Sequence, residues 1–102
     1  MRVEYTEKAL KDLALVKEYF SEVAPYKADD IVLEIISRIL QLESFPMSGP
    51  EDDFLKSCGI SRRSLVVGNY KIIYRIERNT VYITQVFDAR QDPGKMVSAQ
   101  SD

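Results

Sequence analysis

Polar and apolar residues alternate over the first five positions, with Val3 and Tyr5 on one phase and Arg2 and Glu4 on the other. That period of two predicts a short opening strand. Thr6 follows as a helix N-cap, with Glu7 favourably placed in the first turn. From Glu7 to Val23 the period changes. Ala9, Leu13, Val16, Phe20 and Val23 recur every three or four residues, with charged residues between them. This is the pattern of an amphipathic helix. Pro25 stops it, because proline disfavours helical geometry in the residue before it. A second helix is expected from about Ala28 to Ser44, with Val32, Ile35, Ile36, Ile39 and either Leu40 or Leu42 on its stripe. The short Ala-Pro-Tyr connection makes the two helices an antiparallel hairpin.

Two prolines and a glycine between Phe45 and Asp53 mark a loop that also carries three consecutive acids. Three strands are predicted after it: Ser61 to Val67, Tyr70 to Arg78 and Val81 to Phe87. Gly68-Asn69 and Asn79-Thr80 are their tight turns. Tyr70, Ile72, Tyr74 and Ile76 share one face of the middle strand, opposite Lys71, Ile73, Arg75 and Glu77. On the last strand Val81, Ile83, Gln85 and Phe87 oppose Tyr82, Thr84 and Val86. The tail from Lys95 to Asp102 is read as a final short turn or disorder. The expected fold is α+β, in the order β-α-α-β-β-β: a two-layer sandwich with the helical hairpin on a small, mainly antiparallel sheet. The chain of 102 residues is taken as one domain, 1–102.

Composition narrows the chemistry. Apolar residues make up 45% and charged residues 29% of the chain, a globular balance. No apolar run approaches the roughly 20 residues of a membrane span, and no signal-peptide core opens the chain. A cytoplasmic protein with no membrane partner is expected. There is no histidine and only one cysteine, Cys58. A serine triad is thereby excluded, Cys58 has no imidazole to activate it, and neither metal nor cofactor is expected. The net charge is −2, but it is unevenly spread. Residues 1–55 hold six Lys and Arg against twelve Asp and Glu, a net of −6; residues 56–102 hold eight against four, a net of +4. That asymmetry points to a localised partner surface on the C-terminal half.

A family resemblance runs through nearly the whole chain. It opens at Val3-Glu4-Tyr5-Thr6-Glu7-Lys8-Ala9-Leu10-Lys11-Asp12-Leu13 and continues at Leu42-Glu43-Ser44-Phe45-Pro46-Met47-Ser48-Gly49. Its most specific part is the hairpin from Arg63 through Gly68-Asn69-Tyr70-Lys71 to Ile76, followed by Val81 to Pro93 with its Arg90-x-x-Pro93 exit. These stretches resemble the RelE/ParE superfamily of type II toxins, once described as plasmid-stabilisation proteins. The resemblance implies a toxin neutralised by a cognate antitoxin. RelE-like members cut messenger RNA on the ribosome, whereas ParE-like members poison DNA gyrase and have no known catalytic centre.

The branch turns on a few positions. In the RelE-like pattern Lys71 takes the place of an arginine after the strand tyrosine, and Arg90 matches another arginine; these are the candidate catalytic residues if the chain is a ribonuclease. The tyrosine expected about six residues beyond Arg90 is replaced by Met96, and Lys56 stands alone where RelE-like toxins have a basic cluster. A pI near 5.2 also suits a protein target better than RNA, whose phosphates favour a basic partner. The resemblance is therefore closer to ParE, with an mRNA endoribonuclease and an inactive member acting only in a repressor complex as the alternatives. Arg62, Arg63, Lys71, Arg75 and Arg90 are candidates for target contact. Each has a structural alternative: Lys71 and Arg75 as a solvated sheet face, Arg90 as a partner of Asp88 or Asp92, and Arg62 and Arg63 as a solvated strand start. Leu15 and Tyr19 are candidates for antitoxin contact, where an amphipathic segment would lie over the hairpin.

Overall fold

The structure is a computed structural model, and it describes residues 1–100. Strand β1 (Arg2–Tyr5) leads into helix α1 (Glu7–Val23), whose N-terminus is capped by the Thr6 side chain accepting from the Ala9 N–H. A 3-10 turn at Pro25–Lys27 reverses the chain into α2 (Ala28–Leu40), and a second 3-10 turn, Gln41–Glu43, completes the segment expected as one helix to Ser44. A short helix α3 (Asp53–Ser57) follows, then β2 (Arg63–Val67), β3 (Tyr70–Glu77) and β4 (Thr80–Asp88). The sheet order is β1-β4-β3-β2. β1 lies parallel to β4, and the other two pairings are antiparallel. The α+β architecture is as expected.

The stripes of α1 and α2 meet one face of the sheet. Ala9, Val16, Ile35, Ile39 and Leu42 pack with Leu65, Val67, Tyr70, Ile72, Tyr74, Val81, Ile83 and Val86. Of the two alternatives for the end of the α2 stripe, Leu42 is buried and Leu40 is exposed. One detail differs from the expected stripes: Val23 at the end of α1 is exposed. The turn between β3 and β4 is also one residue earlier than expected. Arg78 and Asn79 take the positive φ angles (48 and 64), and Thr80 already pairs with Glu77.

The largest correction concerns β4. Ile73 pairs with Gln85 and Tyr74 with Ile83, which leaves Thr84 as the extra residue of a β-bulge. The bulge exchanges the two faces beyond it. Val86 therefore joins Val81 and Ile83 in the helix-side core, while Phe87 joins the opposite face. There it packs with Leu55, Ile73 and Met96 in a second core, flanked by Phe54, Ile60 and Val97. The sheet is thus covered on both faces, and its second face is covered by segments expected to be loop and tail. The tail forms 3-10 turns at Pro93–Met96 and Ser98–Gln100, burying Met96 and Gln100. Residues 101 and 102 lie outside the described residues.

Candidate functional site

The five basic residues singled out in the sequence do not converge on one point. Arg62, Arg63 and Arg75 come together. With Met47, Glu51, Ser61 and Ile76 they line an open cleft of about 310 Å³. Each guanidinium is held by the fold. Arg62 donates from Nε to Gln100 Oε1 at 3.0 Å and from Nη2 to the Gln100 carbonyl at 3.1 Å. Arg63 donates from Nη1 to the Gly49 carbonyl at 2.7 Å. Arg75 lies over the Tyr82 ring, 4.4 Å from its centroid, and pairs with Glu77 at 2.6 Å. Such stacking fixes a planar guanidinium in orientation. Glu51, on the rim of the cleft, is paired with Lys56 at 3.2 Å.

Lys71 does something else. Its ammonium lies 2.9 Å from Oδ2 of Asp52, a carboxylate with 2% exposure. Asp52 also caps α3 through Oδ1, which accepts the Leu55 N–H at 2.9 Å, and it accepts the Ser64 hydroxyl at 3.1 Å. Burial on its own pushes such a carboxyl up, but the Leu55 N–H, the Lys71 ammonium and the Ser64 hydroxyl outweigh it and hold Asp52 below the ordinary carboxylate range. Lys71 is therefore a strut between the sheet and α3 rather than a solvated face. Nothing in the acidic run Glu51-Asp52-Asp53 marked the middle residue as the buried one. The usable signal was the cap position itself, with Asp52 three residues before Leu55.

Arg90 is fixed by a fork of bonds to Asp88, Nε to Oδ1 at 2.9 Å and Nη2 to Oδ2 at 2.8 Å. The guanidinium holds the Asp88 carboxyl below its ordinary range, and Asp88 raises Arg90 in return. This pair borders a different concavity, lined by Asp12, Leu15, Val16, Tyr19, Tyr70, Val86, Asp88 and Gln91. Burial, with the Asp88 charge, pushes the Tyr70 hydroxyl up. Leu15 and Tyr19 stand at the groove's wall with 60% and 46% exposure, so they combine apolar area with access. Asp12 is at its base. The Asp12 carboxylate accepts the Val86 N–H at 2.9 Å and pairs with Lys8 at 2.6 Å. A residue on the apolar phase of α1 thus serves the backbone just beyond the Thr84 bulge.

Two surfaces result, an apolar groove on α1 with an Arg90–Asp88 rim and an arginine cleft at the start of β2. Lys71 lines neither. The family model described as the ParE toxin of type II toxin-antitoxin system, parDE, matches residues 3–93. The chain belongs to the ParE toxin family. Among solved structures, a chain of the chromosomal ParDE toxin–antitoxin system from P. aeruginosa superposes with a TM-score of 0.72 at 18% identity. The match covers 86% of this chain and 95% of that one, so the fold is shared. No curated protein matches the sequence significantly. The basic residues read from the sequence are thus spread over the cleft, the Lys71–Asp52 pair and the Arg90–Asp88 pair. Met47, Glu51 and Ile76 in the cleft and Gln91 in the groove were not singled out from the sequence, and Tyr70 and Asp88 were read there only as a sheet-face residue and an ion-pair partner of Arg90. They come from segments that only the folded sheet brings together.

Proposed function

We propose that this ParE-type toxin arrests growth by binding and poisoning DNA gyrase, and that a cognate antitoxin neutralises it by covering the α1 groove. The observation that supports contact rather than catalysis is the commitment of the two residues a ribonuclease would use. Lys71 is bonded to buried Asp52, and Arg90 is bonded by two contacts to Asp88. General acid–base cleavage needs groups converging on one phosphate and its 2′-hydroxyl, and these two serve different ion pairs. Arg62, Arg63 and Arg75 supply a preorganised face for the target, while Lys71 and Arg90 brace the surfaces beside it. Leu15 and Tyr19 supply exposed apolar anchors for an amphipathic antitoxin segment, a helix-in-groove mode. The toxin acts as a single domain in the cytoplasm without a cofactor; among the described residues no helix is long and apolar enough to cross a membrane.

The test is a pair of assays on the purified chain. Inhibition of gyrase supercoiling with accumulation of cleavage complexes is the expected result. Ribosome-dependent cutting of messenger RNA that disappears in Arg90→Ala would instead establish the nuclease activity. Co-expression of the neighbouring gene product should restore growth, and should fail to do so when Leu15 and Tyr19 are both changed to serine.

A further inference from the structure

The arginine cleft has a composition that specifies its ligand more narrowly than positive charge does. We propose that it is a docking site for an extended peptide segment of the toxin's protein target in which a Glu or Asp carboxylate is flanked by an aliphatic side chain. The inference rests on the target being a protein, as proposed above.

The charge is localised, and Arg63 is the part of it that is available. Among the described residues the Arg63 guanidinium has no carboxylate within ion-pair distance, and its hydrogen bond goes to the Gly49 carbonyl. Its remaining N–H groups are free to take an anion, and a guanidinium takes a carboxylate through two parallel bonds. Arg75 faces the same cleft, held by Tyr82 and Glu77. The acid on the rim, Glu51, is drawn to Lys56. These guanidiniums are held in place before any ligand arrives, which lowers the ordering cost of binding.

The rest of the lining selects a peptide over a nucleic acid. Met47 and Ile76 border the cleft, and Met47 is exposed with its side chain toward solvent. A flexible thioether suits an aliphatic neighbour of the captured carboxylate. A polynucleotide instead needs a run of cations along its backbone. Here the positive groups are gathered at one spot, Glu51 and Glu77 adjoin them, and the protein as a whole carries −2.

The experiment follows the arginine side-chain Nε–H signals of the full chain by NMR. The probes are a blocked peptide of alternating leucine and glutamate, the same peptide with glutamine for glutamate, and oligothymidylate. Saturable shifts at Arg63 and Arg75 with the glutamate peptide alone are expected. Arg63→Gln should weaken the affinity about tenfold. Because Arg63 also holds the Gly49 carbonyl, Met47→Glu is the second variant: it changes an exposed side chain and should repel the same peptide. The proposal is overturned by absence of saturable shifts, by equal binding of the glutamine peptide, or by tighter binding of oligothymidylate at these arginines. If the chain leaves gyrase untouched yet binds the peptide here, gyrase poisoning fails and the docking site stands. If it poisons gyrase and both variants retain full potency, the docking site fails and gyrase poisoning stands.

Discussion

Removing the Asp52 carboxylate should loosen the second core from the sheet. In Asp52→Ala, α3 loses its cap, worth about 1 kcal/mol in typical helices. The Ser64 hydroxyl, 8% exposed, loses the acceptor it bonds at 3.1 Å, and an unsatisfied buried hydroxyl costs about 1–3 kcal/mol. Lys71 is different, because its side chain is 26% exposed and can turn to water, so little is added for it. The sum is about 3 kcal/mol, which for a domain of this size lowers Tm by about 12–24 °C. Asp52→Asn should lose less, because an amide oxygen still caps the helix while the second oxygen, the acceptor of the Ser64 hydroxyl, is gone. Thermal and urea denaturation followed by circular dichroism measures both. Equal losses in the two variants, or a loss under about 1 kcal/mol in Asp52→Ala, would refute the assignment of Asp52 as cap and strut. The pH dependence has a definite sign. The folded carboxyl titrates below its unfolded value, about 3.9. Its contribution is therefore complete above that pH and is lost as pH falls through the lower, folded value. The gap between wild type and Asp52→Asn should narrow below about pH 4.

Three further outcomes are expected. Gly49→Ala should be strongly destabilising, because a Cβ there would sit 2.7 Å from both the Ser64 carbonyl and the Tyr74 hydroxyl; a Tm within a degree of wild type would show that the loop can move aside. Asp12→Ala should cost about 1–3 kcal/mol by leaving the buried Val86 N–H without its acceptor, read as faster amide exchange around Val86. Tyr19→Ser should leave Tm nearly unchanged, since the ring is 46% exposed, while weakening antitoxin binding in calorimetry by at least about tenfold; undiminished affinity would move the antitoxin elsewhere.

The helical hairpin was legible because α1 and α2 repeat their apolar residues at helical spacing against one sheet face. The middle strand was legible for the corresponding reason, with Tyr70, Ile72 and Tyr74 buried on alternate positions. The β4 bulge was not. Val81, Ile83, Gln85 and Phe87 keep an unbroken alternation in sequence, and the phase changes at Thr84, whose hydroxyl lies 3.2 Å from the Ile73 carbonyl and 2.7 Å from Gln100 Oε1. The extra residue puts Phe87 on the second face, and no local pattern records it. Helix α3 was half legible: Asp52 is a start signal, and Gly59, with φ +78, is the kind of residue that ends a helix. The loop signals around them were stronger. At the candidate site the arginines were legible as charge. The Arg90–Asp88 pair was among the readings of the sequence, but the separation of Lys71, on Asp52, from the arginine cleft was not, because it depends on which face each residue meets after folding.

The parallel pairing of β1 with β4 has a consequence for the life of the newly made chain. Arg2 finds its place beside Thr80, and Tyr5 beside Ile83. β1 leaves the ribosome before β4 and must therefore wait for it. At synthesis rates of about 5–20 residues per second, that wait is about 4–16 s. During it the helical hairpin has been made, but the sheet face that would cover Ile35, Ile39 and Leu42 is incomplete. Every molecule of this toxin thus passes through an interval, set by translation itself, before its sheet is complete.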